Sequence, residues 1–190
     1  MSTPLNRFSR LMTLAVPAAG IFTCGQAQAA SADMFLKLDG IDGESIVKGY
    51  EKHIEILSWS WGASNSGATA GGAGSGKVVM NDFTITKRLS SASPPLMLSC
   101  ATGRRIPTAT FRLTKPSATG APQDYYLVTL YDVLVRGYSS SRPEPTATST
   151  DNSPFEKISL IFIKMTMEYR PASFNGQPSL PVTANMEVAP

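Results

Sequence analysis

The stretch Ile54-Glu55-Ile56-Leu57-Ser58-Trp59-Ser60-Trp61-Gly62 decides the expected fold. From Leu57 onward, this residue and both tryptophans fall on one side of the chain, and Ser58 and Ser60 fall on the other. Alternation with a period of two is typical of a strand with one buried face. Each tryptophan can bury a large apolar area, so the pattern predicts that this strand anchors the core. The opposite face carries only two small hydroxyls, which predicts a smooth, wettable surface.

A glycine-rich segment of fifteen residues follows this strand, from Gly62 to Gly76. Its residues have too little side-chain mass to build a core. A loop of this length inside a compact domain is usually functional or disordered. We therefore predict a protruding arm, although the same composition also fits a floppy hairpin tip.

Part of the arm, Gly71 to Lys77, fits the first seven positions of the phosphate loop G-x-x-x-x-G-K-[ST]. That loop needs a hydroxyl after the lysine to hold magnesium, and it needs a helix that begins there. Val78 takes the hydroxyl position, and residues 78–85 have the pattern of a strand. The sequence therefore argues against nucleotide binding.

Several strings along the chain, taken in order, are typical of one bacterial family. They are Met34 to Ser45, Leu57 to Gly62, Gly74 to Val78, Ser93 to Met97 with Cys100 to Gly103, and Tyr126 to Leu130 with Asp132 to Val135. From about Asp33 to Pro171 the chain closely resembles Hcp, the haemolysin-coregulated tube protein of type VI secretion systems. The agreement of several separate strings makes the resemblance specific.

The resemblance implies an all-β, mainly antiparallel fold: a β-barrel of two sheets with one short α-helix and a long glycine-rich protruding loop. It also implies a function as a structural subunit that forms homo-hexameric rings. The rings would stack into a tube inside a contractile sheath and would be expelled with the tip protein VgrG. Effector proteins would travel in the lumen of the tube.

The same resemblance suggests roles for individual residues. Ser58 and Ser60 would face the lumen and its effectors. The arm would contact the neighbouring ring, through residues Gly62, Ser64, Asn65, Gly67, Gly71, Gly72, Gly74 and Gly76.

The sequence predicts three segments: residues 1–30, a barrel domain at 31–171, and a proline-rich tail at 172–190. The first segment combines Arg7 and Arg10 with the apolar run Leu11 to Phe22 and the small-residue site Ala27-Gln28-Ala29. This is the pattern of a secretory signal peptide. The alternative is a start codon assigned too far upstream, because the family-like sequence begins close to Met34.

The two interpretations of residues 1–30 lead to different locations. A tube subunit is assembled in the cytoplasm and leaves through type VI secretion, whereas a cleaved signal would send the chain to the periplasm. The second hypothesis is therefore an exported β-sandwich that acts as a monomeric binding module.

Composition narrows the possible partners. The chain has 17 lysines and arginines against 14 acids. Arg7 and Arg10 lie in the N-terminal segment, so the remainder is close to neutral. Without a basic stripe interleaved with aromatics, nucleic acid is not an expected partner. Cys100 is the one cysteine outside residues 1–30, so we expect no disulfide within the domain.

Four further segments have recognisable sequence patterns. Ser93 to Gly103 predicts a helix of about two turns, with Ser93 as its N-cap, Pro94 in its first turn, Gly103 at its end, and Cys100 packed inside beside Met97 and Leu96. Residues 108–114 alternate, with Ala109, Phe111 and Leu113 facing inward. Residues 125–135 and 158–169 are apolar on both parities, which predicts strands buried on both faces. In a small antiparallel domain, one of those faces could be covered by another subunit.

No enzyme emerges from these patterns, and we expect no catalytic, cofactor-binding or metal-binding residues. His53 is the single histidine, and it has no nucleophile beside it in the sequence. Asp39, Asp42 and Glu44 surround glycine turns and are explained by turn chemistry, with calcium binding as the alternative.

Overall fold

A computed structural model describes residues 33–65, 78–116, 122–142, 153–171 and 180–188. Within these ranges the chain forms eleven β-strands and one α-helix. In chain order they are β1 (Met34–Leu38), β2 (Ile54–Glu55), β3 (Ser58–Ser60), β4 (Ala63–Asn65), β5 (Val78–Met80), β6 (Phe83–Arg88), α1 (Ser93–Thr102), β7 (Arg105–Lys115), β8 (Gln123–Ser141), β9 (Phe155–Ile161), β10 (Lys164–Tyr169) and β11 (Val182–Glu187). All ladders between these strands are antiparallel. The expected antiparallel all-β fold with one short helix is confirmed.

Most of the strands belong to one sheet that closes on itself. Its strand order is β2-β1-β7-β8-β9-β6-β3, and both ends of this order belong to one chain segment, residues 54–60. In that segment the Ile56 amide donates to the Met34 carbonyl of β1 at 2.9 Å. The next amide, of Leu57, donates to the Thr86 carbonyl of β6 at 2.7 Å. The segment therefore joins the two edges, and the strands form a barrel.

The long strand β8 divides the barrel into two sheets. Its first half pairs with β10, which carries β11 on its other edge. Its second half pairs with β9, which continues to β6 and β3. The expected arrangement of two sheets is thus confirmed. The outermost strand of the first sheet, β11, is formed by residues of the tail segment 172–190 and is mostly exposed.

The inward face of β8 changes parity at Asp132. Val128 and Leu130 are buried before this residue, and Val133 and Val135 are buried after it. Asp132 has a φ of 53°, a left-handed conformation that aspartate tolerates better than most residues. Apolar residues of both parities therefore face one core, while Leu127, Tyr131 and Leu134 on the other face are only partly buried. The expectation that another subunit covers that second face stays a prediction.

The core is anchored by Trp59 of β3. Its ring centroid lies 5.9 Å from that of Phe83, 5.1 Å from that of Phe111 and 5.8 Å from that of Tyr126. Trp61 packs against the same core two residues further on. The prediction that both tryptophans share one inward face is confirmed.

Leu57 does not share that face, and the prediction that it points inward is wrong. Its side chain is 46% exposed. The chain changes partner strand between Ile56, which bonds to β1, and Leu57, which bonds to β6. Alternation is interrupted by this change and begins again at Ser58.

The alternating segment 108–114 lies within β7. Ala109 and Phe111 are fully buried, and Leu113 packs against the core with part of its surface exposed. The predicted inward face of this strand is confirmed.

Helix α1 ends as predicted but begins differently. Gly103 ends it with a φ of 64°, and its amide donates to the Ser99 carbonyl. At the other end Ala92, not Ser93, is the N-cap, and no side chain caps the helix. With ten residues the helix is nearly three turns long rather than two. Ser93 lies in the first turn, and its hydroxyl bonds to Lys87 and Glu156.

The predicted inward cluster on α1 is confirmed only in part. Leu96 is fully buried and Cys100 packs against the core while remaining partly exposed. Met97 is 51% exposed, so the prediction that Cys100 packs beside it in the interior is wrong for Met97. Residues at helical spacing share a face only within about a third of the circumference, and Met97 falls beyond the buried edge of that face.

Candidate functional site

Ser58 and Ser60 lie on the outer surface of β3. Both are exposed, whereas Trp59 between them faces the core. Successive side chains of a strand point to opposite faces, so one buried tryptophan places both neighbouring hydroxyls outside. The hydroxyl positions that the sequence singled out are therefore surface positions.

Strand register extends this surface across three more strands. Ser60 is opposite Thr84 of β6, which is opposite Ser159 of β9, which is opposite Gly137 of β8. A parallel row runs beside it, from Ser58 through Thr86 and Lys157 to Ser139. We call the two rows together the hydroxyl face. Its eight residues are Ser58, Ser60, Thr84, Thr86, Gly137, Ser139, Lys157 and Ser159.

The hydroxyl face is polar, and its side chains project only a short distance from the sheet, because nearly all of them are small. The Thr84 and Ser159 hydroxyl oxygens lie 3.4 Å apart, so the side chains of adjacent strands meet across the surface. Gly137 adds no side chain at the end of that row. Apart from Lys157, none of the eight residues carries a side chain larger than threonine.

Sequence reasoning found only two of these residues. Thr84 and Thr86 flank the buried Ile85, and Lys157 and Ser159 flank the buried Ile158. This alternation was visible in the sequence. However, alternation does not tell which strands are neighbours, and only the register brings the four strands into one surface.

A buried ion pair lies under the hydroxyl face. Lys87 of β6 and Glu156 of β9 are cross-strand partners, both are fully buried, and Nζ lies 2.6 Å from Oε2. Lys87 also donates to the hydroxyls of Ser90 and Ser93, at 3.1 and 3.0 Å. Tyr138 of β8 donates to Glu156 from the neighbouring strand. The network therefore ties the three strands to the start of α1.

These hydrogen bonds set the protonation of the network. Burial by itself would raise the pKa of Glu156, but hydrogen bonds from Lys87, Tyr138 and Ser93 outweigh it and hold that pKa below its usual value. Burial, together with the hydrogen bond to Glu156, raises the pKa of Tyr138 to about 12. At neutral pH the carboxylate is ionised and the phenol is protonated, so both groups are in the forms that make these bonds.

The base of the arm is a short two-stranded ladder. Ala63, Ser64 and Asn65 of β4 pair with Met80, Val79 and Val78 of β5, and this pair forms a sheet of its own. The first residues of the predicted loop are therefore a strand. Gly62 lies just before it, and its carbonyl accepts from the Asn81 amide at 2.8 Å. The remaining arm positions Gly67, Gly71, Gly72, Gly74 and Gly76 lie outside the described residues.

Other candidate chemistry is sparse in the described part of the chain. His53 lies in an aromatic cluster, with ring centroids 6.3 Å from Phe35 and 5.6 Å from Tyr50. Across the described ranges, no three or more His, Cys, Asp or Glu residues are grouped so that they could hold a metal ion. Among the described residues, no helix is long and apolar enough to cross a membrane. The predicted signal segment, residues 1–30, lies outside the described residues.

The fold and this surface can be compared with known proteins. A family model described as "Type VI secretion system effector, Hcp" matches residues 35–169, well over half of the chain. This chain belongs to the Hcp family. The resemblance noted in the sequence strings is thereby confirmed.

Individual Hcp proteins agree with this assignment. Protein hcp1 of Pseudomonas aeruginosa is 34% identical over 149 residues, which cover 77% of this chain and 88% of that protein. The crystal structure of Hcp1 from Salmonella typhimurium matches with a TM-score of 0.66 at 30% identity, covering 83% of this chain and 95% of that one. A type VI secretion system effector from Yersinia pestis matches with a TM-score of 0.63 at 28% identity, covering 82% and 100%.

Membership in the Hcp family assigns the chain to type VI secretion, the system through which Hcp proteins are secreted. The family is one of structural tube proteins and not a family of enzymes.

Proposed function

We propose that this Hcp protein is the subunit of a type VI secretion tube, in which hexameric rings stack and carry effector proteins through the lumen. The observation that carries the proposal is the hydroxyl face, a four-strand surface of small polar side chains on a protein of this family. A channel wall has to leave the bore open and must not hold its cargo permanently. Short hydroxyl side chains meet both requirements.

In this proposal Ser58 and Ser60 line the lumen and face the effectors. The two serines are exposed. Their nearest neighbours across the sheet are threonines, Thr86 beside Ser58 and Thr84 beside Ser60, and Lys157 is the first larger side chain in the row of Ser58. A folded effector could then approach the strand surface closely. Neutral hydroxyls can form hydrogen bonds with many different protein surfaces without the strong attraction of a charged wall.

The arm, residues 62–76, is proposed to contact the neighbouring ring. Its base presents Ser64 and Asn65 on β4, both exposed. Val78 and Val79 on β5 are 47% and 48% exposed, on opposite faces of the strand. A neighbouring ring that covers the base of the arm would remove part of this apolar surface from water. The tip protein VgrG, the contractile sheath and the effectors complete the proposed set of partners.

The proposal also includes a route. The subunit would assemble in the cytoplasm and leave the cell through the type VI system, as expected for a tube. Use of residues 1–30 as a signal peptide would instead place the protein in the periplasm. Mass spectrometry of the N-terminus in cells distinguishes the two routes, since cleavage after Ala29 or Ala30 would indicate export by the general pathway.

The experiment that tests the proposed function is the mass and shape of the purified protein. Light scattering should give a mass six times that of the chain, and negative-stain images of the same fraction should show rings with a central hole. A strictly monomeric species at high concentration would contradict the proposal and would favour the monomeric binding module.

A further inference from the structure

Lys157 is the one charged residue of the hydroxyl face. It occupies an outer position of β9, directly between Thr86 of β6 and Ser139 of β8, and its side chain is exposed. Cross-strand neighbours lie about 5 Å apart at their Cβ atoms, so the long side chain of Lys157 is flanked by the hydroxyl groups of Thr86 and Ser139. Its ammonium group is accessible to a molecule that binds this surface.

No carboxylate balances this charge on the outer surface of the four strands. In β3, β6, β9 and residues 134–141 of β8, the single acidic residue is Glu156, which faces inward and is fully buried against Lys87. Two arginines lie at the borders of the hydroxyl face: Arg136, which is paired with Asp82 at 3.1 Å, and Arg88 at the end of β6, which is exposed. The centre of the face is therefore positive, while the rest of it is neutral and polar.

We propose that Lys157 makes the hydroxyl face selective for protein cargo whose contact surface is acidic. This inference rests on the proposed function, because only a closed ring would bring several copies of Lys157 around one cargo molecule. The complementary partner is a folded protein with clustered Asp and Glu side chains. Carboxylates are the groups that an isolated ammonium on a neutral polar surface attracts most strongly.

The expected strength of this selection is modest for each subunit. An exposed ion pair changes a binding constant by about fivefold or less, because water screens it and the lysine side chain loses freedom. Six copies around a ring would act on one cargo molecule together. Weak, repeated contacts of this kind discriminate between acidic and basic cargo and still permit release. Charge attraction also predicts a strong dependence on ionic strength, since the Debye length falls to about 3 Å at about 1 M salt.

The test uses purified rings of the protein and three fluorescent peptides of equal length: oligoglutamate, oligolysine and a neutral Gly-Ser peptide. Fluorescence anisotropy measures binding to the parent, to Lys157→Gln and to Lys157→Glu. Lys48→Gln is the matched control, because Lys48 is also exposed but lies in the connector between β1 and β2, outside the hydroxyl face. Negative-stain images establish that every variant still forms rings.

We expect the parent to bind oligoglutamate in preference to the other two peptides, with affinity lost at high salt. Lys157→Gln should weaken this binding about fivefold or more, the factor that corresponds to ~1 kcal/mol. Lys157→Glu should reverse the preference toward oligolysine, and Lys48→Gln should bind like the parent.

Two results would overturn the inference in different ways. Rings of Lys157→Gln that bind oligoglutamate as tightly as the parent would refute the role of Lys157 and leave the tube proposal intact. A protein that forms no rings would refute the tube proposal itself and, with it, the inference. Equal loss of binding in Lys48→Gln would also count against Lys157, because it would show an effect of net charge alone.

Discussion

Lys87 and Glu156 lie directly opposite each other on β6 and β9, and their charged atoms meet 2.6 Å apart in the interior of the barrel. Both side chains are fully buried. The pair is surrounded by hydroxyl partners, which include Ser90, Ser93 and Tyr138. Fully buried charges have no contact with bulk solvent, so a charge that loses its partner is not compensated by hydration.

We therefore expect Glu156→Gln to lower the free energy of unfolding by about 3–5 kcal/mol, since it leaves the Lys87 ammonium buried without its counter-ion. Urea denaturation followed by tryptophan fluorescence measures the change. The double variant Lys87→Met with Glu156→Leu should be closer to the parent than Glu156→Gln, because no unpaired charge remains. Equal stability of Glu156→Gln and the parent would show that the pair does not hold β6 and β9 together.

The same network predicts how stability depends on acid. The pKa of Glu156 is lowered in the folded protein, so the folded state binds fewer protons than the unfolded state as pH falls. Its contribution is present above the unfolded pKa, near 4.5, and is lost as pH falls through the lower folded pKa. The free energy of unfolding should therefore decline as the pH falls below about 4.5. Urea titrations at several pH values should show a shallower decline in Glu156→Gln than in the parent, with Glu55→Gln on β2 as an exposed control.

At alkaline pH, Tyr138 makes stability fall as the pH rises, the opposite of the effect of Glu156 in acid. Its pKa is raised from 10.0 to about 12, so its contribution is present below pH 10 and is lost as pH rises through about 12. Tyr138→Phe should remove part of the alkaline decline in stability. An unchanged alkaline slope in this variant would indicate that Tyr138 does not donate to Glu156 in solution.

Ser60→Gln tests the lumen assignment. The residue is exposed, so the free energy of unfolding should change by about 0.5 kcal/mol or less. The longer side chain should obstruct the hydroxyl face, and rings of the variant should retain less effector in a pull-down than rings of the parent. Ser91→Gln, at an exposed serine outside the face, is the matched control. Retention of the effector at the parent's level by Ser60→Gln would make the lumen assignment wrong.

Trp59→Ala and Leu57→Ala compare the two ends of the alternating stretch. Trp59 contacts Phe83, Phe111 and Tyr126, so its removal should cost about 3–5 kcal/mol of unfolding free energy. Leu57 is 46% exposed, and its truncation should cost about 1 kcal/mol or less. Thermal and urea denaturation of both variants measure the difference. Similar losses would contradict the change of partner strand at Leu57.

The sequence predictions were correct where a feature depends on residues that are close in the chain, and they were wrong where it depends on which strands pair. Alternation placed Trp59, Trp61, Ala109 and Phe111 correctly, because the side-chain direction in a regular strand depends only on local geometry. It failed at Leu57, where the chain exchanges one partner strand for another. Along β8, where the sequence is apolar on both parities, the buried residues change parity at Asp132, whose backbone is left-handed. No local pattern announces either event.

The residues of the hydroxyl face also fall into two groups, those that local sequence reveals and those that only strand pairing reveals. Ser58 and Ser60 could be found from the sequence because a tryptophan lies between them. Thr84, Ser159 and Gly137 could not be assigned to the same surface, because their strands are far apart in the chain and meet only through long-range pairing. The initial assignment of Ser93 as a helix cap was wrong for a similar reason, since its hydroxyl is used by Lys87 and Glu156.

The amino-acid sequence by itself determined the family, the antiparallel all-β class, the single short helix and the inward face of the tryptophan strand. These follow from short strings and from periods of two residues, which depend on neighbours along the chain. Only the tertiary structure decided the closure of the barrel through residues 54–60, the buried pair of Lys87 with Glu156, and the four-strand hydroxyl face around Lys157. Each of these depends on which strands pair and in which register, and pairing is settled by the packing of the whole core.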